Sequence, residues 1–157
     1  MTYSFTYTVM APDQLSEVEQ LLCRKAAEAT RGSYAPYSNY HVGAAVLLAD
    51  GSIVAGANQE NASYPCGTCA ERTALHYAQS AHPTLTIEAI AIAAETEAEA
   101  QASDAAPALP YPCGMCRQTL VEAERHQGTP IKVIVTTQEQ AHVFPSASCL
   151  LPFAFDA

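Results

Sequence analysis

The chain is 157 residues long, enough for one folded domain with a real core, and its 49% apolar and 15% charged composition excludes a disordered polymer. Seven Lys and Arg against sixteen Asp and Glu leave a net charge of −9. With no basic run longer than Arg24-Lys25, the chain is a poor match for a polynucleotide or an anionic membrane, since nothing offsets the repulsion from phosphates.

The longest apolar run, Val42 to Ala49, is far short of the ~20 residues that span a bilayer. Met1 to Met10 carries neither the basic stretch nor the continuous apolar stretch of a secretory leader. A soluble, cytoplasmic chain is expected, in which six cysteines serve as metal ligands, catalytic groups or buried thiols rather than as disulfides.

In chain order, Thr2 to Val9 alternates polar with aromatic residues and reads as a strand. Ala11-Pro12-Asp13 looks like a helix start, Ser16 and Glu19 form a capping box, and Leu15, Val18, Leu22, Ala26 and Ala29 recur at helical spacing up to a stop at Gly32. Ser33 to Asn39 is Tyr-rich turn material. Strands follow at Tyr40 to Leu48 and Ile53 to Ala57, joined by a hairpin turn around Asp50-Gly51. Asn58 to Thr68 is a polar loop, a helix runs from Cys69 to about Ser80, and Thr86 to Ala94 is a buried strand. Between Glu95 and Pro110 the composition turns to four acids, no bases, many alanines and two prolines, a solvated excursion. A second Cys-bearing helix starts near Cys113 and ends by Gly128, Ile131 to Thr136 and Ala141 to Phe144 are strands, and Ser146 to Phe155 closes the chain. Alternating strands and helices without a linker make residues 1–157 one α/β domain.

Cys66-Gly67-Thr68-Cys69-Ala70-Glu71-Arg72 and Pro112-Cys113-Gly114-Met115-Cys116-Arg117-Gln118 each hold Cys-x-x-Cys, with 43 residues between Cys69 and Cys113. Thiolates suit zinc, and helix N-termini favour the thiolate over the thiol. Two readings of such a metal compete. In one, Cys66, Cys69, Cys113 and Cys116 close a four-thiolate site that staples the fold. In the other, Cys69, Cys113 and Cys116 leave a position open, and Glu71 stands beside the metal as a proton carrier. Glu71 followed by Pro-Cys-x-x-Cys is the pattern of zinc nucleobase deaminases, which favours the open site.

On these residues the chain resembles the cytidine deaminases of the small, three-cysteine, homotetrameric kind. The likeness runs from about Ser33 to Phe155 and rests on five motifs in order. They are Tyr34-Ala35-Pro36-Tyr37-Ser38-Asn39-Tyr40-His41-Val42-Gly43-Ala44-Ala45, Asn58-Gln59-Glu60-Asn61-Ala62-Ser63-Tyr64-Pro65, Cys69-Ala70-Glu71-Arg72-Thr73-Ala74, the Pro112 to Gln118 segment, and Leu150-Leu151-Pro152-Phe153-Ala154-Phe155. The resemblance implies a three-layer α/β/α fold with a mixed, roughly five-stranded sheet. It implies Zn2+ on Cys69, Cys113 and Cys116, with Glu71 carrying a proton from the attacking water to the ring nitrogen and the departing amine. The implied reaction converts cytidine or 2′-deoxycytidine to uridine or 2′-deoxyuridine and ammonia, in pyrimidine salvage. Asn58 and Glu60 match the pair that binds the ribose 3′-hydroxyl, and the backbone of Ala70 matches a contact to the pyrimidine. Tyr40 stands where the family usually has Phe lining the pocket, and Phe155 matches an aromatic that reaches a neighbouring subunit's site.

Arg72 has its own logic, since three thiolates give zinc a formal charge of 2 − 3 = −1, and a guanidinium on a ligand sulfur would draw off the excess. Cys66, Cys23 and Cys149 remain as spare or buried thiols, and the five histidines lack ligand spacing. Other readings are a deaminase of another aminated nucleoside or nucleoside antibiotic, and a non-catalytic four-thiolate zinc module.

Overall fold

Six strands form one mixed sheet in the computed structural model, which describes residues 2–96 and 109–156. They are β1 (Thr8–Met10), β2 (Tyr40–Leu48), β3 (Ile53–Ala57), β4 (Ile87–Thr96), β5 (Lys132–Thr136) and β6 (Ala141–Phe144), arranged β1-β6-β5-β4-β2-β3. Only β4 and β5 run parallel; every other neighbouring pair is antiparallel. The count exceeds the expected five because the N-terminal run pairs with β6, Thr8 opposite Val143 and Met10 opposite Ala141. It pairs over three residues rather than the whole of Thr2 to Val9. Of the excursion expected between Glu95 and Pro110, residues 97–108 lie outside the described residues.

The helices are α1 (Glu17–Ala29), α2 (Ala70–Ala81) and α3 (Gly114–Gln127). Ser16 caps α1 as its capping box predicts: its hydroxyl accepts from the Glu19 N–H at 3.4 Å while the Glu19 carboxylate accepts from the Ser16 N–H at 3.0 Å. Pro12–Gln14 is a separate 3-10 turn, and α1 stops at Ala29 into another at Thr30–Gly32, so Gly32 is no left-handed stop. Gly128 is one, ending α3 at φ 74°.

Alternation along the strands sorts the layers. Ala44, Val46 and Leu48 of β2, Ile90 and Ile92 of β4, and Val133 and Val135 of β5 face α2 and α3. Ala45, Leu47, Ala89, Ala91, Ala93 and Ile134 face α1. The expected three layers are therefore present. Alanines on the α1 side let that helix lie close, and at Gly43 a Cβ would come within 2.0 Å of the Ala26 carbonyl. On the opposite face a Cβ on Gly56 would stand 2.7 Å from the Ala74 backbone nitrogen of α2. These two glycines set how near each helix comes to the sheet.

One buried carboxylate holds the far end of α3. Glu124 accepts from the backbone N–H groups of Ile131 and Ala147, each at 2.8 Å, and from the hydroxyls of Ser146 at 2.7 Å and Ser148 at 2.5 Å. It thereby joins α3 to the approach to β5 and to the C-terminal 3-10 turn Ala147–Leu150. Burial pushes its pKa up, but hydrogen bonds from Ser148, Ile131, Ser146 and Ala147 outweigh that and hold the carboxyl below its ordinary 4.5.

Two stability predictions result. Gly56→Ala pushes backbone against backbone and should cost about 1–3 kcal/mol in denaturant unfolding, with an unchanged midpoint contradicting the close approach. Glu124→Gln should cost about 2 kcal/mol at neutral pH, because several donors lose an ionised acceptor. Since the folded carboxyl lies below 4.5, its contribution is complete above that value and lost as pH falls through the lowered one. The gap between wild type and Glu124→Gln should therefore close on acidification, and a pH-independent gap would contradict the assignment.

Candidate active site

The two Cys-x-x-Cys segments meet because each opens a helix at the same end of the sheet. Cys69 is the N-cap of α2 and Cys113 the N-cap of α3, both with extended backbone, while Cys116 lies one turn into α3. The sulfurs of Cys69, Cys113 and Cys116 all lie within 4.8 Å of one another, with Cys69 to Cys113 at 3.9 Å and Cys113 to Cys116 at 3.5 Å. Zinc–sulfur bonds of about 2.3 Å set tetrahedrally would place sulfurs about 3.8 Å apart, so the trio fits zinc as it stands. Cys116 is buried, Cys69 half-buried and Cys113 exposed, so the cluster is open to solvent on the Cys113 side. Cys66 ends a 3-10 turn at Tyr64–Cys66, is exposed and stands outside the cluster. A closed four-thiolate module thus lacks its fourth sulfur.

Glu71 sits in the first turn of α2, two residues past Cys69, and is 5% exposed. Burial pushes its carboxyl up to about 7, and the neighbouring Cys69 sulfur adds to the effect. A carboxyl poised near neutrality is suited to take and return a proton. The Cys69 thiol goes the other way, to about 5, because Cys116 hydrogen-bonds to it and the Arg72 guanidinium adjoins it. In return that same bond, with burial and the Glu71 carboxylate, pushes Cys116 far up.

Arg72 is pulled down by burial but held up overall by the Cys69 and Cys116 sulfurs. Its Nη2 reaches the Gly67 carbonyl at 3.5 Å, and among the described residues its Nε is the buried side-chain polar atom left without a hydrogen-bond partner. The guanidinium thus lies beside the Cys69 and Cys116 sulfurs.

The residues matched to the nucleoside have other partners as well. Asn58 Oδ1 accepts from the Val42 N–H at 2.8 Å and its Nδ2 donates to the Tyr40 carbonyl at 2.9 Å, so this side chain continues the edge of β2. Glu60 accepts from the Tyr37 N–H at 2.9 Å, from the Ser38 N–H at 3.3 Å and from the Ser38 hydroxyl. Between them they hold the 37–42 segment, which includes Tyr40 at the start of β2. Ala70 is fully buried as the first residue of α2. Phe155 lies on a tail against α3 and is 74% exposed.

Three sets of contacts around the site were not legible in the sequence. Tyr111, just before Pro112-Cys113, places its hydroxyl 2.5 Å from Nδ1 of His142 on β6. Arg117 donates to the Pro112 carbonyl at 2.8 Å and to the Leu150 carbonyl at 3.1 Å. Gln118 bonds to the backbone of Phe155. Tyr111 and His142 are 31 residues apart, and no local pattern announces their pairing. Arg117 and Gln118 lie inside the quoted motif, but their partners are set by the tail's path.

The family described as the cytidine and deoxycytidylate deaminase zinc-binding region matches residues 16–129, which include all three cysteines and Glu71. The chain belongs to this deaminase family. A cytidine deaminase from Halalkalibacterium halodurans is 45% identical over 103 residues, covering 66% of this chain and 70% of that protein. One from Mycobacterium tuberculosis is 35% identical over 113 residues, covering 72% of this chain and 74% of that protein. Among solved structures, the Burkholderia pseudomallei cytidine deaminase superposes with a TM-score of 0.70 at 40% identity, over 86% of this chain and 97% of that one. A crystal structure of the Mycobacterium tuberculosis enzyme gives 0.66 at 29% identity, over 88% and 98%.

Proposed function

We propose that this deaminase hydrolyses the exocyclic amine of cytidine and 2′-deoxycytidine, giving uridine or 2′-deoxyuridine and ammonia. The observation that carries this reading is the buried Glu71 carboxyl on the turn that joins the thiolate trio. Cys69, Cys113 and Cys116 would hold zinc, which supplies a Lewis acid able to make water a nucleophile near neutral pH. Glu71 takes the first proton from the attacking water and gives it to the ring nitrogen. It then takes the second, from the hydroxyl left on C4 as that oxygen becomes the keto group, and gives it to the departing amine, which leaves as ammonia once protonated. Water and nucleoside enter, and ammonia and the keto product leave, so atoms balance without a further reactant.

Substrate selection follows from the loop. A carboxylate offers about four lone-pair sites, and Glu60 commits three to Tyr37 and Ser38, which leaves acceptor capacity for a ribose hydroxyl. Asn58 likewise keeps a second N–H and a second lone pair beyond its bonds to β2. In this reading both residues fix the loop and then bind the sugar, Tyr40 lines the pocket, and the Ala70 backbone meets the pyrimidine.

Free nucleoside, rather than polynucleotide or membrane, is the partner consistent with a net charge of −9. Exposed Tyr37, Tyr64, Met115, Phe153 and Phe155 support assembly into a homotetramer in which Phe155 enters a neighbour's site. A single-domain, cytoplasmic salvage enzyme is the corresponding biological role.

The decisive assay follows loss of the cytosine chromophore on adding purified protein to cytidine. Glu71→Gln should lower turnover by about 10²–10⁴-fold while leaving zinc content and unfolding midpoint in place, and retained activity would remove Glu71 from the chemistry. Cys113→Ala should instead lose zinc and activity together, as metal analysis of the dialysed protein would show; full zinc occupancy in that variant would contradict its assignment as a ligand.

A further inference from the structure

The backbone around Phe155 is held by side chains of α3. Gln118 grips the backbone of Phe155 from both sides, its Oε1 accepting from the N–H at 3.1 Å and its Nε2 donating to the carbonyl at 3.1 Å. Arg125, seven residues on and so on the same face of α3, donates to that carbonyl at 3.2 Å and pairs with Asp156 at 3.4 Å. The tail bends at Phe153, whose φ of 61° lies in the left-handed region, and Ala154 packs against the core. Tyr3 places its ring 5.8 Å from that of Phe153.

These directed bonds act on main chain, and the side chain they carry is left outside. Phe155 is 74% exposed and Phe153 94% exposed. Ordering this backbone costs conformational entropy, and burial of the ring within its own subunit does not offset it. The clamp also ties the tail to a particular helix. Gln118 lies two residues past Cys116 on α3, so the direction of the Phe155 ring is registered to the helix that carries two of the three thiolates.

We propose that Gln118 and Arg125 are positioning residues which hold the C-terminal backbone so that Phe155 is presented to the nucleoside site of a neighbouring copy. This rests on the reading of Phe155 given under the proposed function. Gln118 itself touches neither substrate nor metal. It acts through the aromatic ring, whose stacking on a base would be lost if the tail swung free.

The test is a double-mutant cycle with Gln118→Leu, which keeps side-chain size and removes both bonds, and Phe155→Ala. Each variant is assayed for KM and kcat on cytidine, zinc per chain, unfolding midpoint and subunit assembly. Phe155→Ala should raise KM by about 5- to 150-fold, the range of an aromatic ring stacked on a base. Gln118→Leu should raise it by about 5-fold or more, with kcat and zinc content little changed. In the Phe155→Ala background the Gln118 substitution should add less than about 2-fold, since the ring it positions is already gone.

Costs that multiply in the double variant would overturn the proposal, because Gln118 would then act by another route. Loss of zinc in Gln118→Leu would also overturn it, making the residue a support of the metal end of α3. An unchanged KM in Phe155→Ala would sink the reading of Phe155 itself. That outcome is distinguishable because it appears in the single variant, before Gln118 is touched.

Discussion

Three sulfurs within 4.8 Å of one another are a charge problem before they are a binding site. Each proton removed makes the next removal harder, so the hydrogen bond between Cys69 and Cys116 drives Cys69 down against its burial, while that bond and burial together drive Cys116 up. Two helix N-termini and one guanidinium answer that problem. Cys69 and Cys113 cap α2 and α3, where free N–H groups favour negative charge, and Arg72 lies against two of the sulfurs. With a divalent cation the local sum becomes 2 − 3 + 1 = 0, so Arg72 completes the neutralisation that a three-thiolate site alone leaves undone. Glu71 shares this surrounding, and its high pKa comes from the same burial that makes the cluster costly without a cation.

For that arrangement to exist, two helices far apart in sequence must begin side by side, and the fold supplies this through three contacts. The parallel pairing of β4 and β5 obliges the chain to cross over between them, and α3 lies in that crossover. Gly56 lets α2 sit with its backbone almost on β3, fixing the height of Cys69 and Glu71 above the sheet. Glu124 anchors the opposite end of α3 by bonds to Ile131, Ser146, Ala147 and Ser148. A carboxylate used this way is costly to bury alone, but here its donors match its lone pairs.

What could be read without coordinates was what repeats locally or carries its own chemistry. Strands β2 to β6, the Ser16–Glu19 capping box and the Gly128 stop follow from periodicity and turn residues, and a metal-ligand pattern follows from the paired Cys-x-x-Cys spacing, whereas preferring Cys69, Cys113 and Cys116 to a set with Cys66 took Glu71 and the family resemblance. The misreadings came where distant residues decide. Three residues of the N-terminal run became a strand, Thr8–Met10, paired with Ala141 to Val143 of β6. Gly32 resembled a helix stop, yet α1 turns into a 3-10 segment two residues earlier, where β2 crowds it at Gly43. Asn58 and Glu60 match a sugar-binding pair by resemblance alone, and their hold on Tyr37, Ser38 and Val42 depends on a loop path that local sequence does not encode.

Both ends of the chain converge on the side of the sheet that carries the site. Tyr7, just before β1, stacks on Phe144 at 5.1 Å and lies 5.4 Å from the ring of His142, which in turn meets the Tyr111 hydroxyl. Tyr111 leads directly into Pro112-Cys113, so the short edge strand buttresses the segment that delivers one sulfur of the trio. At the other end, Arg117 ties Pro112 to Leu150 and Gln118 ties α3 to Phe155. The segments outermost in sequence are thus fastened to α3 and its approach rather than to the α1 face. A change in either terminus would reach the cysteines through one or two side chains, whereas a change in the solvent-facing surface of α1 would have to cross the whole sheet.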